Sequence, residues 1–240
     1  MKPLLILLAA LALPTGMTYA EEPVTNEEWQ FKLTPYVWLA GIHGDTLADD
    51  TDPPPINPDL NFFSLENFDG VAFLAFAAMK NRWAVYSDLV FISFADTYQV
   101  GSVETRFDLS GTMLELSAGY KPASWQNTQL IFGARGVDVT MDVALTPGSS
   151  GSGSASFVDP IIGIRHKQQF SNRWGVVARG DIGSGSSDVM INALLAGTYE
   201  FTDNFELAFG YRYLKIKFED SDLLLDLSLQ GYIVGFEFAW

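Results

Sequence analysis

The 240-residue chain predicts an all-β fold, a membrane-spanning antiparallel up-and-down β-barrel of ten strands, with eight or twelve left open by one miscounted hairpin. Three observations carry that reading. Apolar residues recur at every second position in segment after segment, the period of a strand with one greasy face, and helical spacing never takes over. The greasy face is the bulky one and the other is small or charged, the inverse of a strand that turns its polar side to water. Turns between segments alternate between tight and long, as they do where one rim of a barrel carries short turns and the other long loops.

The strands follow a leader. Lys2, the apolar run Leu4 to Leu13, and Thr18-Tyr19-Ala20 ahead of Glu21-Glu22 make the three parts of a secretory signal, with cleavage expected after Ala20. The apolar run is about ten residues, half of the roughly 20 that a spanning helix needs. Residues 1–20 are therefore expected to be a signal peptide, 21–28 a periplasmic N-terminal segment and 29–240 the barrel domain.

Ten strands are expected at about 29–42, 68–80, 82–97, 103–121, 127–143, 156–170, 173–183, 188–201, 204–218 and 223–240. In the fourth, Leu114, Leu116, Ala118 and Tyr120 oppose Glu115, Ser117 and Gly119. The ninth sets Phe205, Leu207, Phe209, Tyr211 and Tyr213 against Glu206, Ala208, Gly210 and Arg212. The last sets Tyr232, Val234, Phe236, Phe238 and Trp240 against Gly231, Ile233, Gly235, Glu237 and Ala239.

Asn81-Arg82, Ser171-Asn172-Arg173 and Thr202-Asp203-Asn204 are tight turns, each followed by an aromatic, and Lys121 to Asn127 carries Trp125. Aromatics placed there mark a membrane–water boundary, so this rim is expected to be periplasmic. The opposite loops are the Pro-rich Asp45 to Asn67, the Gly/Ser tract Gly148 to Ser156 (expected to be a flexible loop tip), Gly183 to Ser187, and the acidic Glu219 to Asp222.

Losing Lys2 with the leader takes the formal charge from -15 to about -16, with acid concentrated in Asp45 to Asp69 and Glu219 to Asp226. Such a surface repels nucleic acid and favours cationic partners or divalent cations. The absence of cysteine removes disulfide, thiolate–metal and cysteine-nucleophile chemistry.

The closing strand, Gln230-Gly231-Tyr232-Ile233-Val234-Gly235-Phe236-Glu237-Phe238-Ala239-Trp240, resembles the assembly signal of Gram-negative outer-membrane barrels, with Trp where most members have Phe. Leu33-Thr34-Pro35-Tyr36-Val37-Trp38-Leu39, Val158-Asp159-Pro160-Ile161-Ile162-Gly163 and Gly210-Tyr211-Arg212-Tyr213-Leu214 add a similarity to small Gram-negative outer-membrane β-barrel proteins, distantly like the OmpW and OmpA barrels. The resemblance implies a bacterial outer-membrane location and contact with outer-membrane lipid and lipopolysaccharide. It also implies insertion by the barrel-assembly machinery, reading Tyr232, Phe236, Phe238 and Trp240. It speaks to architecture and not to activity, because these folds host pores, adhesins, enzymes and anchors alike.

Strand parity puts Lys32, Asp88, Glu115, Arg165, Arg179, Asp181, Glu200, Glu206, Arg212 and Glu237 on the inner face. Both signs in one narrow lumen predict pairing, since an unpaired buried charge costs several kcal/mol. The resulting network either plugs the barrel or lines a narrow path for small solutes. Arg135 and Asp138 fall on opposite faces of one strand in a simple alternation, which predicts either a β-bulge there or a different register.

His43 beside Asp45, Asp49 and Asp50 is where a surface hydrolase would assemble, while His166 reads as an interfacial residue near the periplasmic rim. Asp45, Asp49, Asp50, Asp52 and Asp59 could also take a divalent cation, although their spacing is not that of an EF-hand and a solvated loop explains them as well. The expectation is a non-enzymatic, porin-like barrel with a structural or surface-interaction role or passive passage of small solutes. It needs no cofactor, dedicated metal ligand or catalytic residue.

Overall fold

The computed structural model describes residues 28–48, 60–61, 68–100, 103–148, 150–219 and 223–240. These form β1 (Gln30–Ala48), β2 (Leu60–Asn61), β3 (Phe68–Lys80), β4 (Trp83–Val100), β5 (Val103–Tyr120), β6 (Thr128–Thr146), β7 (Ser150–Gln169), β8 (Trp174–Gly183), β9 (Val189–Thr202), β10 (Phe205–Glu219) and β11 (Leu223–Ala239). Neighbours pair antiparallel, and β1 closes on β11 from Lys32↔Ala239 to Ala48↔Leu223. The result is a closed barrel of ten long strands, as expected, with the two-residue β2 added alongside β1 at Gly41 and Ile42. The expected signal peptide and the Pro-rich acidic positions from 49 to 59 lie outside the described residues.

The register fixes the tilt. Followed across the ladders from Gly44 through Leu227, Ile216, Met190, Gly183 and Ile161 to Gly133, Ser117, Tyr86 and Ala77, the path returns to β1 at Lys32, twelve residues below its start. For ten strands that stagger corresponds to a slope of about 40°, within the usual range for closed barrels. The seam between β1 and β11 is tight enough to need glycine. A Cβ added at Gly231 would lie 1.8 Å from the Leu39 carbonyl oxygen.

The tight turns form one rim. Asn81 takes the left-handed conformation (φ 55°) that Asn tolerates in such a turn. Just above it a girdle of aromatic pairs faces outward, with ring centroids 4.7 Å apart for Trp83 and Tyr120, 4.8 Å for Trp174 and Tyr199, and 5.2 Å for Phe205 and Phe238. Higher still, Leu114, Leu116, Ile162 and Leu195 stand exposed on the outer wall, the band that lipid would cover.

Past that band the strands exchange faces. On β6, outward Leu130 and Phe132 give way to Asp138 and Asp142, while inward Arg135 is followed by Val137, Val139, Met141 and Val143. On β10, outward Phe209 and Tyr211 give way to Lys215 and Lys217, while inward Glu206 and Arg212 are followed by Leu214, Ile216 and Phe218. The strands extend well beyond the 9–11 residues a tilted strand needs to span hydrocarbon, and the excess forms a head with polar outer walls and an apolar interior. Phe157 of β7 and Phe218 of β10 stack across that head at 4.8 Å and 6°.

This exchange corrects two sequence expectations. There is no bulge at Arg135, because the β5–β6 and β6–β7 registers run unbroken past it. The surroundings change from lipid to water, and the polarity phase changes with them. The Gly148 to Ser156 tract is not a loop tip either, since Ser150 onward is β7, laddered to β6 from Ala144↔Ser150.

Wall height varies around the barrel. β8 stops at Gly183, opposite Ile161, so β7 rises from Pro160 to Ser150 with no β8 partner.

Candidate functional site

Midway up the interior, side chains from seven strands join in one belt. Glu115 of β5 accepts hydrogen bonds from Arg135 (2.7 Å) on β6 and Arg179 (2.6 Å) on β8. Both arginines also donate to Asp181, at 2.7 and 2.9 Å, closing a ring of two acids and two bases. Asn192 of β9 donates to Asp181 at 2.7 Å and accepts from Arg212 of β10 at 3.0 Å. Arg212 continues to Tyr36 of β1 (2.9 Å) and Asp88 of β4 (2.9 Å), and the Tyr36 hydroxyl donates to Asp88 at 2.7 Å.

The belt is neutral, with Asp88, Glu115 and Asp181 against Arg135, Arg179 and Arg212. Its burial is complete at the centre, where Arg135 is 0% and Glu115 1% exposed. Removing such charges from water costs several kcal/mol each, and only dense pairing of this kind offsets it. The Arg212 guanidinium lies 4.8 Å from the Trp38 ring centroid, joining the belt to the apolar head.

A second charged layer lies below, toward the rim of tight turns. Lys32 pairs with Glu237, the Lys167 ammonium donates to both oxygens of Glu206 at 3.0 Å, and Arg165 lies over the Tyr86 ring at 5.4 Å. Glu200 shares this layer, opposite Glu206 in register. Ala84, Tyr86 and Ile131 form a small apolar cluster beside it.

The ten residues assigned inward by parity lie on the inner face, divided between these layers. The belt also includes Arg135, Tyr36 and Asn192, and the lower layer Lys167, none of which that set contained. Tyr36, Asn192 and Lys167 have inward parity and were legible by the same count. Arg135 was set aside on the expectation of a bulge.

Asp159 of β7 is a further inner residue, absent from the set assigned inward by parity. Fully buried above the belt, it accepts the backbone N–H groups of Ser186 (2.6 Å) and Ser187 (3.0 Å) together with the Ser187 hydroxyl. It thereby holds the β8–β9 loop against the inside of β7.

The histidines do not share a site. His166 Nδ1 is 2.8 Å from Thr128 Oγ1 at the tight-turn end of the β6–β7 pair. The backbone register sets His43 opposite Ser228 and Asp45 opposite Asp226. The side chains of His43 and Asp45, like Asp49, Asp50, Asp52 and Asp59 entirely, lie outside the described residues.

A closed antiparallel barrel with an outward aromatic girdle, an apolar outer band and a charged interior defines the outer-membrane type of β-barrel. Comparison with solved structures gives the same class. The outer membrane protease OmpT from Escherichia coli aligns over 92% of this chain and 99% of its own, with a TM-score of 0.55 and 9% identity. The translocator domain of the autotransporter NalP from Neisseria meningitidis (88% of each chain, TM-score 0.41, 13% identity) and Ail, the attachment invasion locus protein of Yersinia pestis (89% and 99%, TM-score 0.39, 10% identity), are more remote. At such identities the likeness is one of fold alone. No family model and no curated protein matches the chain.

Proposed function

We propose that this protein is a sealed barrel of the bacterial outer membrane, non-enzymatic, with its work at the extracellular surface rather than in passing solutes. The observation that carries the reading is the neutral belt of buried arginines and carboxylates spanning the lumen beneath an apolar head. Conduction needs a continuous polar path with sites weak enough to release what enters. Here every belt charge is committed to a partner, and the layer above is chiefly Phe, Met, Ile and Val, with Asp159 taken up by the β8–β9 loop. The strands that rise past the lipid band give the surface role a platform of backbone far stiffer than loops.

Reconstitution of the purified protein in planar lipid bilayers tests this. The expected record is flat at either polarity, with discrete steps emerging only when the seal is cut by Arg135→Ala together with Phe157→Ala. Regular steps from the unaltered protein would overturn the reading in favour of a narrow pore.

A further inference from the structure

The rim of the barrel carries an unfinished sheet. β7 is laddered to β6 along its whole upper part, yet its other edge has no strand above Ile161 among the described residues. The chain's own β8–β9 loop touches that edge only near its base, where the Ser186 hydroxyl donates to the Val158 carbonyl oxygen. Ser150 to Phe157 remain, eight residues or about 26 Å of ladder at 3.3 Å per residue.

Natural edges are defended by charge, proline or bulges, and this one, Ser-Gly-Ser-Gly-Ser-Ala-Ser-Phe, has none of them. From Ser150 to Ser156 its side chains are Ser, Gly and Ala on both faces, so little side-chain bulk flanks the edge before Phe157.

We propose that the upper edge of β7 accepts an extended peptide segment by strand addition, and that the segment alternates basic and apolar residues. This rests on the surface-interaction reading above and names the kind of partner. Two features set the chemistry. On the outer face, exposed Asp138 and Asp142 of β6 stand directly opposite Ser156 and Ser152, one strand in from the edge, within reach of long cationic side chains on an added strand. On the inner face, Ala155 and Phe157 belong to the apolar head, so alternate residues of the guest would turn toward that head above the short β8. The chain's formal charge of -15 favours the same sign of partner.

The probe is a short synthetic peptide alternating lysine and valine, added to the protein in phosphatidylcholine nanodiscs, which carry no net lipid charge. Binding is read by titration and by amide hydrogen exchange. Expected are slowed exchange confined to Ser150, Ser152, Ser154 and Ser156, whose amides face the open edge as the Val158 carbonyl does, and a roughly tenfold or greater weakening when alternate peptide nitrogens are methylated, since the side chains are kept and only ladder donors are lost. Asp138→Asn with Asp142→Asn weakens the lysine peptide and not a serine–valine analogue. Equal binding of the methylated peptide, protection elsewhere, edge-facing amides at Ser150, Ser152, Ser154 and Ser156 already slow without peptide, or their protection by a concentration-dependent dimer would each overturn the proposal. None of these outcomes bears on conductance, so a pore would sink the functional reading while a failed titration sinks only this one.

Discussion

Replacing Arg135 by Met removes the cation that bridges Glu115 and Asp181 at 2.7 Å each, at a position with no exposure to water. Arg179 still reaches both acids, and Asn192 still reaches Asp181, so the ring is weakened and not emptied. What changes is the balance: the belt acquires a net negative charge in a site closed to counter-ions. Breaking a buried pair by deleting one member costs about 3–5 kcal/mol. With a denaturant dependence of about 2 kcal/mol per molar urea, the unfolding midpoint in lipid vesicles should fall by about 2 M. The compensated variant, Arg135→Met with Asp181→Asn, keeps the belt neutral and should recover most of that loss. A shift below about 0.5 M in the single variant, or a double variant that loses the sum of both changes, would refute the claim that charge balance governs the interior.

Three further outcomes follow from the same geometry. Leu116→Arg, in the outer apolar band, should destabilise the folded barrel by about 2–4 kcal/mol in vesicles. Ser110→Arg on the same face of β5 should be nearly neutral, and equal costs would move the membrane boundary. Asp159→Asn should speed amide exchange at Ser186 and Ser187 more than tenfold, since bonds to a charged acceptor are worth about 1.5–3 kcal/mol; unchanged exchange would mean the loop is held by something else. His43→Ala should leave urea unfolding and bilayer behaviour as they are, and turnover of a lipid or peptide that vanishes in this variant would put a surface hydrolase in place of the sealed platform.

Within the membrane band the sequence was easy to read because one solvent acts on each face. Period-two alternation identified the strands, and parity alone brought Lys32 into line with Glu237 and Glu115 into line with Arg179 across distant segments. Above the band the same alternation misled. At Arg135 and Asp138 a reversal of polarity looks like a backbone irregularity when only the chemistry of side chains is visible, because a bulge and a change of surroundings shift the pattern identically. Ser150 to Ser156 was hidden for a related reason. Small residues have little strand preference of their own, and it is the ladder to β6 that keeps them extended. The partners of Asp159 were out of reach, since two of them are backbone N–H groups of a loop.

The reversal of faces also bears on how the barrel is made. A chain that enters the bilayer with its tight-turn rim trailing must carry the upper ends of its hairpins through hydrocarbon before they reach water, and on β6 and β7 those ends bear Asp138, Asp142 and a run of serines on the wall that would meet lipid tails during passage. At the bilayer midplane such a charge is costly, so unassisted insertion one hairpin at a time faces a barrier that the finished barrel no longer shows. A protected route, in which strands advance against a template that shields their outer face until the head closes over Phe157 and Phe218, removes that barrier.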